Sequence, residues 1–278
     1  MEIKYDKIKI DEEEIAYLEN DVSSDKVILF IHGNMSSSVC FLNLIKELKD
    51  KKIFAIDMRG YGNSTYNKEV TSIDDFKNDI KKFILKKDLN NFSIVSWSFG
   101  GAITLELAND KEVLDRIKNA VFISPAGYKP FVNHGPDMGN LDLFSDIINF
   151  NMGFMGYNVI NGNSFRAISV TNLFNHVIYN VKNPHRDEFK RNVYAALQQR
   201  NVDEVANILS EYKYNKGRLK FDSIILHGYD DLVINYIEGK LLARITGSIY
   251  ERLDNCGHSP LTDRFDTVLK YIKEYAEK

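Results

Sequence analysis

The chain has 278 residues, 44% hydrophobic and 27% charged, an ordinary globular composition with room for one large α/β domain and an insertion. Its net charge of −3 creates no strong field toward nucleic acid or an anionic membrane. No apolar run approaches the roughly 20 residues that span a bilayer, and the first residues lack an apolar export core, so we expect a cytoplasmic protein whose two cysteines, Cys40 and Cys256, are reduced.

In chain order, residues 1–20 alternate in part (Ile3, Tyr5, Ile8, Ile10, Ile15, Tyr17), which predicts an antiparallel edge hairpin with one wet face. Continuous apolar runs follow at 27–31, 53–56, 92–95, 120–123 and 224–226, and such runs suit strands covered by helices on both faces. Ile249 to Leu253 reads as a further strand. Phe76, Ile80, Phe83 and Ile84 recur at helical spacing, with Lys81, Lys82, Lys86 and Lys87 mainly on the opposite, solvated face. Phe265, Leu269, Ile272 and Ala276 mark an amphipathic terminal helix. This strand–helix alternation implies a mostly parallel, doubly wound sheet.

The stretch from about 130 to 220 breaks the rhythm. It opens on loop signals, Gly127, Pro130, Asn133, Gly135 and Pro136, and continues with helical patterns at Leu141 to Phe150 and Glu188 to Leu209. Met152, Phe154, Met155, Phe165, Phe174 and Tyr194 enrich it in apolar side chains. We expect most of these to form the insertion's own core and some to line a pocket.

The most specific feature is Ser96-Trp97-Ser98-Phe99-Gly100-Gly101, which follows the apolar run Phe92 to Val95. A strand that turns sharply into a helix forces the central serine into a strained conformation and exposes its hydroxyl. The residues two before and two after must be small, and here they are Ser96 and Gly100. The usual pattern is G-x-S-x-G, so Ser96 replaces the first glycine with the next small choice. Two further loops follow strands: His227-Gly228-Tyr229-Asp230-Asp231 and Cys256-Gly257-His258-Ser259-Pro260. Ligand chemistry in open α/β sheets gathers outside the carboxyl ends of strands.

The order Ser98, Asp231, His258 resembles that of the α/β-hydrolase superfamily. His32-Gly33-Asn34 is similar to that family's oxyanion loop, and Asp57-Met58-Arg59-Gly60-Tyr61-Gly62-Asn63-Ser64 to its D-x-R-G-x-G-x-S turn. Gly228-x-x-Asp231 and Gly257-His258-x-Pro260 resemble its acid and base loops. The resemblance implies an eight-stranded, mostly parallel α/β-hydrolase core over 1–129 and 221–278, with a helical cap over 130–220.

It also implies roles. Ser98 would be the nucleophile and His258 its base, because imidazole takes and returns a proton around neutrality. Asp231 would orient that imidazole, with Asp230 as its rival. The backbone N–H groups of Phe99 and Asn34 would form the oxyanion hole. The Asn34 carboxamide would add a third contact or merely favour the turn. Ser36, Ser37 and Ser38 could touch substrate, but a short helix N-terminus already explains them; His32 and Asp57 would brace loops, and Cys256 would be a small buried residue. Relatives that open epoxides or remove halide carry aspartate at the Ser98 position, which sets those reactions aside. What remains is acyl transfer to water: hydrolysis of a small or medium carboxylester, or of a thioester, lactone or amide. Cleavage of C–C bonds in dioxo acids is an alternative, against which stands Ser259 in place of tryptophan. A ligand-binding receptor on the same fold is another, and the intact Ser98, Asp231 and His258 favour catalysis over it. Neither metal-ligand spacing nor a dinucleotide glycine fingerprint is present, so no metal and no cofactor is expected, and the expected partner is a small acyl substrate.

Overall fold

A computed structural model describes residues 1–128, 163–181 and 184–278. The helix expected over Leu141 to Phe150 lies outside these residues, as do His134, Met152, Phe154, Met155 and the side chain of Phe165.

The strands are β1 (Ile3–Ile10), β2 (Glu13–Asn20), β3 (Val27–Ile31), β4 (Lys52–Ile56), β5 (Phe92–Trp97), β6 (Ile117–Ile123), β7 (Asp222–Gly228) and β8 (Ile249–Leu253). They form one eight-stranded sheet in the order β1-β2-β4-β3-β5-β6-β7-β8. β2 runs antiparallel to both neighbours, and β3 to β8 are mutually parallel. The expected edge hairpin is present, with Ile10 opposite Glu13 and Asp11 at positive φ in the turn. The chain passes from β3 outward to β4 and then returns across β3 to β5. The order of winding therefore reverses between β3 and β5, and loops leaving their carboxyl ends flank a natural crevice.

The continuous apolar runs are explained by two buried faces. Side chains alternate along each strand, so Leu29, Ile31 and Ile94 join one apolar cluster while Ile28, Phe30 and Val95 join the other. The first cluster is completed by helices α1 (Ile73–Lys86), α2 (Phe99–Leu107) and α3 (Tyr236–Thr246). The second is completed by a short helix at Leu42–Glu47 and by the terminal helix α4 (Phe265–Glu277). α1 buries Phe76, Ile80, Phe83 and Ile84 as its spacing predicts, and at its start the Asp75 carboxylate accepts the Ser72 N–H at 3.1 Å. The buried stripe of α4 is Val268, Ile272, Tyr275 and Ala276, with Phe265 and Leu269 at its edge.

Between β6 and β7 lie helices at Asn163–Leu173, Arg186–Leu197 and Val202–Glu211, the first continued by a π-helical turn at Phe174–Ile178. The single pattern read from Glu188 to Leu209 is thus two helices, broken where Gln199 and Asn201 are buried in polar contacts with the core. The described apolar residues here do not keep to themselves. Phe174, Val177 and Ile178 join one sheet cluster, Val205, Ile208 and Leu209 join the other, and Tyr194 is 63% exposed. No helix among the described residues is long and apolar enough to cross a membrane.

Arg59, in the turn after β4, is buried against Asp79 of α1, with Nε donating to Oδ2 at 2.8 Å and Nη2 to Oδ1 at 2.6 Å. Removing Asp79 takes away both hydrogen bonds to carboxylate oxygen and leaves the buried guanidinium with only the Glu13 carboxylate, 4.0 Å from Nε, as an ion-pair partner among the described residues. Asp79→Ala should therefore destabilise the fold by about 3–5 kcal/mol, read from the midpoint of urea unfolding. A change below about 1 kcal/mol would show that Arg59 escapes to solvent.

Candidate active site

Ser98 sits between β5 and α2 at φ 52° and ψ −117°, a region that a non-glycine residue occupies only under constraint. The constraint is visible. The Ser98 N–H donates to Ile123 O at 2.9 Å, and Ser98 O accepts from the N–H groups of Gly101 (2.8 Å) and Ala126 (3.0 Å). A Cβ on Gly100 would fall 2.3 Å from Ile31 O and 2.7 Å from His32 O, so the first turn of α2 rests directly on the end of β3. A Cβ on Gly33 would fall 3.0 Å from the Ser98 Cβ, which places the loop after β3 beside the serine. Ser96 is fully buried, and a side chain of its size is accommodated where the usual pattern has glycine.

The loops after β7 and β8 converge on this turn. Ser98 Oγ is 2.9 Å from His258 Nε2, and His258 Nδ1 is 2.8 Å from Asp231 Oδ2. A carboxylate only accepts, so Nδ1 carries the hydrogen and Nε2 presents its lone pair to the serine hydroxyl. Trp97 Nε1 donates to His258 O at 2.8 Å, and Asp263 accepts the Gly257 N–H at 2.7 Å, so the backbone of this loop is pinned on both sides of the imidazole.

Asp231 is fully engaged. Its Oδ1 accepts the backbone N–H groups of Val233 (2.8 Å) and Ile234 (2.9 Å), while Oδ2 faces His258 and, at 3.2 Å, His227 Nε2. Burial alone would push this carboxyl up, but the neighbouring His258 and His227 outweigh it and hold it well below the usual carboxylate range. Asp230 is exposed and accepts from Asn180 Nδ2 at 3.0 Å, away from the imidazole. His227, read from sequence only as the end of a strand, is a contact that was missed. Its Nε2 also reaches Ile234 O at 2.9 Å, so that nitrogen is the protonated one.

Phe99 is the first residue of α2, where a backbone N–H has no partner within the helix. The Asn34 side chain is occupied: its Oδ1 accepts from Tyr61 Oη and from Gln199 Nε2, each at 2.8 Å. His32 and Asp57 brace loops as expected. His32 Nε2 accepts the Met58 N–H at 3.1 Å, and Asp57 accepts the N–H groups of Ser38 (2.8 Å) and Asn63 (2.9 Å). The three serines stand at the start of a short helix as expected, one that begins as 3-10 and continues into Leu42–Glu47. They are buried and lead into a 3-10 turn at Ser38–Phe41 whose start has no side-chain cap. His176 and His185 are exposed, and Cys256 is buried with its thiol pushed up by burial. Among the described residues no three His, Cys, Asp or Glu side chains converge as a metal-ligand set.

A family model described as the alpha/beta hydrolase fold matches residues 26–265, and the chain belongs to that family. It is 27% identical over 117 residues to the AB hydrolase superfamily protein YisY of Bacillus subtilis, a match spanning 41% of this chain and 43% of that protein. It is 29% identical over 108 residues to a putative esterase/lipase of Mycoplasma genitalium, spanning 38% of this chain and 40% of that one. The chain thus aligns with less than half the length of these relatives. In three dimensions it is similar to an esterase from Exiguobacterium antarcticum, with a TM-score of 0.78, 17% identity and 96% coverage of both chains, a likeness of fold.

Burial pushes the His32 imidazole down from 6.5 to about 4. Between these values the unfolded chain binds a proton that the folded protein does not, so stability falls as pH drops through this window, by an amount on the order of 3 kcal/mol. In His32→Gln the slope of melting temperature against pH should flatten from pH 6.5 to 4. An unchanged slope would assign the acid sensitivity to other groups.

Proposed function

We propose that the protein is a serine hydrolase that cleaves carboxylic esters of small or medium acyl size through an acyl-enzyme on Ser98. The observation that carries this reading is the continuous series from Ser98 Oγ to His258 Nε2 (2.9 Å) and from His258 Nδ1 to Asp231 Oδ2 (2.8 Å). In the first half-reaction Ser98 Oγ attacks the ester carbonyl while His258 Nε2 takes its proton. The tetrahedral oxyanion is received by the N–H groups of Phe99 and Asn34, and Asp231 stabilises the imidazolium. The C–O bond to the alcohol then breaks, with His258 returning the proton to the leaving oxygen. In the second half-reaction water adds to the acyl carbon, giving its proton to His258, and Ser98 leaves with that proton restored. The inserted helices between β6 and β7 serve in this reading as the cap over the acyl group. The esterase/lipase name of the Mycoplasma relative is consistent with it.

A fluorophosphonate should label wild-type protein at Ser98, mapped by mass spectrometry, and should not label Ser98→Ala. The absence of label on folded wild-type protein would reject the activated serine. With p-nitrophenyl acetate, Asp231→Asn should lower kcat/KM by about 10⁴-fold through the wrong imidazole tautomer. Asp230→Asn should retain most of the activity, and the reverse ranking would move the acid to Asp230.

A further inference from the structure

Gln199 lies in the connection between the helices Arg186–Leu197 and Val202–Glu211, yet it is only 2% exposed and its side chain serves the loop after β3. Its Oε1 accepts the Met35 N–H at 3.0 Å, and its Nε2 donates to Asn34 Oδ1 at 2.8 Å. One carboxamide therefore grips residue 34 through its side chain and through the peptide that follows it. Nε2 also lies 3.2 Å from Tyr61 Oη and 3.1 Å from Asn201 Oδ1. Tyr61 Oη in turn donates to the same Asn34 oxygen, which closes a polar triangle beside the loop.

The loop needs such a grip. Met35 adopts φ 52°, outside the comfortable range for its side chain. On the other side of Asn34 stands Gly33, whose missing Cβ lets the loop approach Ser98 but also leaves the backbone torsionally permissive. The peptide that carries the Asn34 N–H is held upstream through Gly33 O, which accepts from His32 Nδ1 at 2.7 Å, and Gln199 fixes the same residue from the downstream side.

The grip is itself fixed to the core. The Arg200 N–H donates to Gly60 O at 2.9 Å, the Arg200 guanidinium reaches the carbonyls of Tyr61 (3.3 Å) and Ser64, and Asn201 Nδ2 donates to Arg59 O at 2.8 Å. A Cβ on Gly60 would fall 2.4 Å from Asn201 Nδ2, so this connection and the turn after β4 are in direct contact. Three consecutive residues of the insertion therefore tie the turn after β4 to the loop after β3.

We propose that Gln199 is a positioning residue for the oxyanion hole: through Asn34 Oδ1 and the Met35 N–H it holds the Asn34 N–H aimed at the developing oxyanion. This rests on the serine hydrolase reading and deepens it by making the insertion part of the transition-state machinery. Substrate contacts are not involved, so the effect belongs in kcat and not in KM.

The test compares wild type, Gln199→Leu and Gln199→Glu. Leucine removes both bonds. Glutamate keeps an acceptor for the Met35 N–H, loses the donor to Asn34 Oδ1, and brings negative charge toward the oxyanion. Four readouts are taken on each: hydrolysis of p-nitrophenyl acetate, fluorophosphonate labelling of Ser98, inhibition by 1,1,1-trifluoro-2-butanone, and thermal melting. The ketone adds to the serine and places an oxyanion in the hole, so it reports that site apart from substrate binding. The expected result is a fall in kcat of about 10- to 100-fold in both variants with KM within a few-fold, and a rise in the ketone inhibition constant that parallels the loss of kcat/KM. Wild-type kcat in either folded variant would overturn the proposal, as would a loss expressed only in KM or a ketone constant that does not move. Activity lost only in step with folded protein, in both variants, would make Gln199 a stability residue and overturn it equally. Wild-type protein that neither labels at Ser98 nor hydrolyses the ester would remove the serine hydrolase reading and this proposal with it. An active wild type with unaffected variants would remove this proposal alone.

Discussion

The first turn of α2 lies so close to the end of β3 that no side chain fits between them, and the arrangement of the site depends on that approach. Gly100 meets Ile31 O and His32 O, and Gly101 meets Pro125 after β6, so the helix start is wedged between the ends of two strands. The wedge holds Ser98 in a conformation that costs about 1–3 kcal/mol, because its N–H and C=O are both committed to the β6 end and the helix start. Phe99, fully buried and edge-on to Phe76 at 5.2 Å, anchors the same turn from the helix side. The hydroxyl is therefore presented by packing that was assembled for other reasons: covering the sheet and pairing its parallel strands.

Around that turn, burial has opposite consequences for different ionisable groups, and the partners decide which. His32 is buried with an acceptor on one ring nitrogen and a backbone N–H on the other, a pattern that only the neutral ring satisfies. Asp231 is buried just as deeply but meets donors on both oxygens, so the charged form is retained. A carboxylate that is held charged, with its direction fixed by two backbone N–H groups, can keep an imidazole in one tautomer. An exposed neighbour such as Asp230, bonded to a surface asparagine, cannot impose that direction.

The parts legible in the sequence are those whose determinants are local. Apolar runs at 27–31, 92–95 and 224–226 mark central strands because both faces of a parallel sheet are buried, and a short polar loop after such a run falls at the sheet's carboxyl edge. Ser98 follows the run at 92–95 and the Asp230-Asp231 pair the run at 224–226, whereas Ile249 to Leu253 before His258 is not such a run. The preference for Asp231 over Asp230 comes from the resemblance to the family's acid loop, and the edge hairpin is legible from its alternation. The contacts that were missed join residues far apart in the chain. Gln199 reaches Asn34 across 165 positions, and Trp97 reaches His258 across 161. A buried glutamine in a helix break leaves no periodic trace. The pattern from Glu188 to Leu209 looks continuous because both helices keep apolar residues at helical spacing through the interruption. His227 is legible only once the loop after β7 is known to fold back on its own strand.

The insertion illustrates why fold and specificity are hard to separate in this family. If its apolar residues formed a core of their own, the helices between β6 and β7 would be an exchangeable module. Its described apolar residues are not set apart in this way: Phe174, Val177 and Ile178 are continuous with the cluster on one face of the sheet, and Val205, Ile208 and Leu209 with the cluster on the other. Polar anchors reinforce the joint, with Asp263 accepting the N–H groups of Gly257, Asn180 and Val181, and the residues from Gln199 to Asn201 holding the turn after β4. Two of the loops that define the site, those after β3 and β8, are thus contacted by the segment expected to shape the substrate pocket. Changes in that segment that reshape a pocket must leave these anchors in place if the loops after β3 and β8 are to keep their positions.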